Sequence, residues 1–127
     1  MSLNHAVIWI DHQEAHVMFL SKDASEAEII KSKLSHTHLH HKGGAVGSGR
    51  LALDAKYLHS VIQAVKESIE ILILGPGSAK LELIKHAHHH DAKIAEKIVG
   101  IETVDHPSDK EILAYARKFF YKADQMN

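Results

Sequence analysis

The sequence predicts an α/β fold: a mixed β-sheet of about five strands with helices packed on it, in the order βββαβααβα. Three observations carry this reading. The chain opens with apolar segments separated by short polar turns, it holds a continuous apolar run from Ile69 to Leu74 closed by Gly-Pro-Gly, and its other apolar residues recur at helical spacing. A meander followed by βα units builds a sheet that is antiparallel on one side and parallel on the other.

Each element follows from its residues. Ala6 to Ile10 and Ala15 to Leu20 are apolar runs around the polar tetrad Asp11-His12-Gln13-Glu14, the pattern of a β-hairpin. A weaker run around Glu28 to Lys31 alternates less cleanly, as an edge strand with a solvated face does. Asp54 is placed to cap a helix in which Leu58, Val61, Ile62 and Val65 share one stripe. Ile69 to Leu74 reads as a buried strand. After Gly75-Pro76-Gly77-Ser78, Leu81 and Ile84 begin a second helix that runs into HAHHHD (His86 to Asp91). Asp91 can cap a short helix with Ile94, Ala95 and Ile98, and Val99 to Val104 is the last strand. Pro107 stops it, and Ser108-x-x-Glu111 is a capping box for a final helix carrying Ile112, Ala116, Phe119 and Phe120.

Composition sets the outer limits. The 127 residues, 45% apolar and 24% charged, suit one domain spanning 1–127 and exclude a disordered or fibrous chain. Fifteen basic against sixteen acidic residues give a net charge of −1, so any attraction to nucleic acid must be local. The lack of cysteine excludes disulfides, thiolate metal sites and cysteine nucleophiles, and agrees with a cytoplasmic location. Neither a membrane span nor an export signal is legible, so no membrane partner is expected. Oligomeric state stays open, a homodimer included.

The segment 35–50 differs from the rest. It holds four His, four Gly, Lys42 and Arg50, and little that could be buried, and reads as an exposed loop that stays mobile in the free protein. Its glycines allow close backbone approach, and Lys31, Lys33, Lys42 and Arg50 gather positive charge in a near-neutral chain. A phosphate-rich partner fits this chemistry, with His40 and His41 able to stack on bases or to gain charge in mild acid. An incidental solvated loop is the competing account.

Three stretches, in order, resemble the middle domain of the archaeal and eukaryotic class 1 peptide-chain release factors and of the ribosome-rescue factor Pelota. They are the hairpin VIWIDHQEAHVMFL, the basic stretch KGGAVGSGR (Lys42 to Arg50) where that family carries Gly-Gly-Gln, and ILILGPGSAKLEL (Ile71 to Leu83). The small bacterial proteins grouped with those factors are similar as well. The resemblance implies a ribonuclease H-like, translational-machinery type of sheet and a ribosome or tRNA partner. It implies contact through Lys31, Lys33, His40, His41, Lys42, Gly43, Gly44 and Arg50. Gly43 and Gly44 match the family triplet, but Ala45 stands where the Gln belongs, so only a backbone N–H could assist a water. The implied role is therefore binding rather than peptide release, as in Pelota, which also lacks the triplet. A residual peptidyl-tRNA or RNA hydrolase and an interaction module without RNA are the alternatives.

Two further readings come from chemistry alone. In an extended HTHLHH, His36, His38 and His40 share a face, and in a helical HAHHHD, His86 lies one turn from His89 and His90. Imidazoles in such sets suit zinc, nickel or copper, against an expectation of no resident cofactor and only adventitious zinc or nickel. Asp11 and Asp105 end strands and could serve a metal-dependent nuclease, but act as ordinary turn residues on the simpler reading. Gly75 to Ser78 could hold an anion at a helix N-terminus, though it lacks the phosphate-loop lysine spacing. Trp9 belongs in the core.

Overall fold

The computed structural model describes residues 4–32 and 54–126, with side chains as far as 121. Strands β1 (His5–Ile10), β2 (Glu14–Leu20) and β3 (Ser25–Lys31) are followed by helix α1 (Ala55–Ala64), strand β4 (Glu70–Gly75), helices α2 (Ala79–His90) and α3 (Ala92–Glu96), strand β5 (Ile98–Thr103) and helix α4 (Asp109–Met126). This is the expected βββαβααβα order, in one mixed sheet of order β3-β2-β1-β4-β5.

Pairing is antiparallel between β1 and β2 (Ala6 opposite Phe19) and between β2 and β3 (Ala15 opposite Ile30). It is parallel between β1 and β4 (Ala6 opposite Ile71) and between β4 and β5. Strand β3 therefore runs with β1, β4 and β5, and its carboxyl end lies at the same sheet edge as theirs. The crossovers β3-α1-β4 and β4-α2-α3-β5 advance in the same direction, so a common right-handedness places α1, α2 and α3 on one face. Helix α4 returns across the other.

Strand alternation divides the core accordingly. Ala6, Ile8, Ile10, Val17, Ile71 and Ile73 pack under Leu58, Val61, Ile62, Leu83 and Ile94. Val7, Trp9, Met18, Leu20, Leu72 and Leu74 pack under Ile112 and Ala116. At roughly 1.5–3 kcal/mol for each large side chain, both faces contribute substantially to stability.

The caps form as the sequence indicates. Asp54 accepts from the Lys56 N–H at 3.0 Å. Asp91 accepts from Ile94 N–H at 3.4 Å. In the capping box of α4, Ser108 N–H donates to Glu111 at 2.8 Å and Glu111 N–H to Ser108 Oγ at 3.1 Å. Three details differ. Leu81 is exposed, and α2 buries Ala79, Leu83 and Ala87 instead, because the glycine turn starts the helix in a phase that points Leu81 away from the sheet. Ile98 opens β5 rather than ending α3, since Lys97 closes that helix and its carbonyl pairs with Ile71 N–H. Ile69 is exposed and precedes β4, although its N–H extends the ladder to the Asn4 carbonyl. Strand β4 gains Gly75 in exchange, where a Cβ would lie 2.4 Å from the Ile10 carbonyl oxygen. No described helix is long and apolar enough to cross a membrane.

Candidate functional site

The shared carboxyl edge of β1, β3, β4 and β5 is organised around the turn after β1. The Asp11 carboxylate accepts from the N–H groups of Gln13 (2.8 Å) and Glu14 (2.9 Å), an Asx-type turn that fixes the hairpin. The Asp11 carbonyl accepts from the Tyr57 hydroxyl at 3.0 Å, and the Gln13 carbonyl from Ser32 N–H at 2.9 Å. Ser32 is fully buried, and burial pushes the Tyr57 hydroxyl far above its ordinary pKa. The residues flanking segment 33–53, the end of β3 and the start of α1, are thus fastened to one turn.

Beside that turn, two imidazoles each lie between two carboxylates. His16 places Nε2 2.6 Å from Glu14 and Nδ1 2.7 Å from Asp109. Burial alone would lower its pKa, but the hydrogen bonds and charges of Glu14 and Asp109 outweigh this and raise it above 6.5. His106 places Nδ1 2.9 Å from Asp105 and Nε2 3.6 Å from Asp11. The hydrogen bond to Asp105 raises its pKa too, against a smaller effect of desolvation and with help from Asp11. Trp9 stands between them, with ring centroids 5.6 Å from His16 and 5.0 Å from His106, and its Nε1–H donates to the Asp105 carbonyl at 2.8 Å. Asp11 and Asp105, the pair considered for a nuclease, do meet, but with an imidazole between them. An open depression of about 460 Å³ adjoins this cluster, with Leu74, Val104 and Ile112 below and Asp105, Glu111 and Tyr115 at its rim.

The glycine turn occupies the same edge. Ser78 makes no side-chain cap, and Lys80 donates from Nζ to the Gly77 carbonyl at 2.6 Å, so the lysine closes the turn that precedes its own helix. Lys80 is buried.

Of the residues expected to contact RNA, Lys31 is described: it ends edge strand β3, exposed and opposite Glu14 in register. Lys33, His40, His41, Lys42, Gly43, Gly44 and Arg50 lie outside the described residues, as do the metal candidates His36 and His38. His86 and His90 do come together on α2, with ring centroids 4.4 Å apart. His59 of α1 joins them, its ring 6.3 Å from that of His86. Burial, followed by the neighbouring imidazoles of His90, His59 and His89, lowers the His86 pKa, and its Nε2 is buried without a hydrogen-bond partner. Among the described residues no three His, Asp or Glu side chains already converge on one metal position. His16, His106 and His59 escaped the sequence reading. For His16 a signal exists, since Glu14 and His16 are two apart on a strand and share a face; for His106 the adjacent Asp105 is one, whereas its pairing with Asp11 and that of His59 with His86 arise only between distant elements.

Against known proteins, no family model matches the sequence and no curated protein is similar to it. Solved structures do match its fold. Pelota of Thermoplasma acidophilum superposes with a TM-score of 0.62 at 17% identity, over 87% of this chain and 31% of that one. The archaeal translation termination factor aRF1 gives 0.60 at 13%, over 90% and 34%. Dom34 of S. cerevisiae, described as a translation termination-like factor involved in RNA quality control, gives 0.53 at 13%, over 97% and 37%. The chain spans about one third of the length of these proteins. The resemblance to the release-factor and Pelota middle domain therefore holds at the level of the fold.

Proposed function

We propose that this chain is a translation-related binding module that contacts the ribosome or tRNA through the basic, glycine-rich sequence between β3 and α1. One observation carries the reading. In a fold shared with Pelota and an archaeal termination factor, Ser32 on one side of that sequence and Tyr57, in the first turn of α1, on the other are both hydrogen-bonded to the turn after β1, at the sheet's carboxyl edge. A scaffold held on both sides by a packed core is a suitable base for a segment that works by reaching outward. Lys31 stands at the base of the segment, and Lys33, Lys42 and Arg50 continue the positive charge along it. The acidic side chains at this edge are engaged with imidazoles, helix caps and turn N–H groups, which tempers their repulsion of phosphate. With Ala45 in place of the glutamine, the proposed activity is binding and not hydrolysis.

The test is co-sedimentation with ribosomes as ionic strength is varied. Binding is expected at low salt, falling as salt rises, and K42A with R50A should weaken it and reduce the log–log salt slope by about two, one for each phosphate contact removed. No association at low salt, or a slope unchanged in the double variant, would overturn the reading. Peptide release from a purified peptidyl-tRNA complex would instead assign a hydrolase.

A further inference from the structure

Strand β5 ends the sheet beyond β4, and among the described residues no strand pairs with its other side. Val104 N–H donates to the Gly75 carbonyl at 3.1 Å, and backbone groups alternate sides along a strand. Gly100 and Glu102 therefore turn their N–H and C=O toward β4, while Ile101 and Thr103 turn theirs outward. The side chains at this edge are apolar as well. Val99, the extra residue where β5 bulges against β4, is 44% exposed, and Ile101 is 41% exposed. Tyr115 of α4, which borders the depression together with Val104, is also exposed. Natural sheets blunt an outer strand with charge, and the opposite edge follows that rule, since β3 carries Glu26, Glu28 and Lys31. From Ile98 to Ile101, β5 carries no charge.

We infer that β5 is the interface for a second copy of this chain, which adds its own β5 antiparallel about a two-fold axis at Ile101 and joins the two sheets into one. In that register the two Ile101 residues exchange both outward hydrogen bonds, and Val99 of one copy comes toward Thr103 of the other, the self-complementary arrangement of a two-fold dimer. Glu102 meets Gly100 and not its own counterpart, so no two carboxylates are set opposite each other. The ends of the strand are opposite in charge. Lys97 stands just before β5, with Lys93 and Glu96 behind it in α3, whereas Glu102 and Asp105 stand at and beyond its end, and the Asp105 side chain is 93% exposed. Antiparallel pairing sets each basic end beside the other copy's acidic end, twice, while a parallel strand in register would set like charges together. The pairing leaves β3 and Lys31, at the far side of the sheet, uncovered, and it does not rest on the proposed function.

The test is the mass of the full chain in solution, read by sedimentation from about 1 μM to about 500 μM, with amide hydrogen exchange measured at both concentrations. A short strand makes a small contact, so a reversible dimer that dissociates in the micromolar range is expected. The amides of Ile101 and Thr103 should exchange several-fold more slowly in the concentrated sample, while those of Gly100 and Glu102, already bonded to β4, change little. This readout needs no variant to fold. I101K should weaken the dimer by about tenfold, with dilute samples melting close to the parent. K97E should weaken it several-fold by setting like charges at both ends, and K97E with D105K should restore it, a recovery that damage to the fold cannot produce. A chain that stays monomeric throughout the range overturns the inference. So does a dimer in which the Ile101 amide is not slowed, which would use another surface, or one indifferent to I101K and to the charge exchange.

Discussion

His16 shows how much a single side chain can join. It stands on β2, yet its two nitrogens reach Glu14 on its own strand and Asp109 in the first turn of α4, and its ring edge meets Trp9. Asp109 thus serves twice, favoured near the helix N-terminus by the backbone dipole and paired with an imidazole. The folded-state pKa of His16 is raised, so the protonated form is the stabilising one. Its contribution is complete below the ordinary value of about 6.5 and is lost as pH rises through the higher folded-state value. H16Q should therefore lower the melting temperature more at about pH 5.5 than at about pH 9. A difference independent of pH would show that the ring acts by packing alone. His106 is far more exposed and adds to the same trend more weakly, because its ion pairs are screened by water.

At the scale of elements, α4 is the piece that completes the sheet. It covers Val7, Trp9, Leu72 and Leu74 with Ile112 and Ala116, and Arg117 donates to the Ser21 and Ala24 carbonyls in the turn between β2 and β3. Phe119 lies against Gly100, where an added Cβ would approach its ring to 2.9 Å. S108A should cost about 1 kcal/mol by removing one half of the capping box, read as a drop of a few degrees in melting temperature. Ending the chain before Ser108 exposes one whole face of the sheet. Since each large side chain is worth roughly 1.5–3 kcal/mol against a total stability of about 5–15, that truncated protein should lose its cooperative thermal transition. The capping box, the Asp54 and Asp91 caps and the strand alternation were legible because each is a short-range pattern. The phase of α2 was not, since Leu81 and Leu83 are both apolar and only docking decides which is buried. Nor were the Asp11–His106 and His59–His86 pairs, whose partners are brought together by crossovers and not by sequence proximity.

For the whole molecule, the scaffold and the segment it is proposed to present can be separated by experiment. The described residues bury a core on both faces of the sheet, and Ser32 and Asp54 are held by their own bonds to the Asp11 turn and to α1. Residues 36–49 contain four Gly and few apolar side chains, so ordering them costs about 1–2 kcal/mol per residue with little burial to offset it. On the proposed function the partner supplies that free energy, with phosphate contacts at Lys42 and Arg50 as its source. Replacing 36–49 with a short Gly-Ser linker should consequently leave the melting transition in place and abolish ribosome or tRNA binding. Unfolding of the exchanged protein would mean that the segment belongs to the core. Unchanged folding together with unchanged binding would move the contact to another surface, such as the depression beside Asp105 and Tyr115, and would reduce the likeness to Pelota to one of fold.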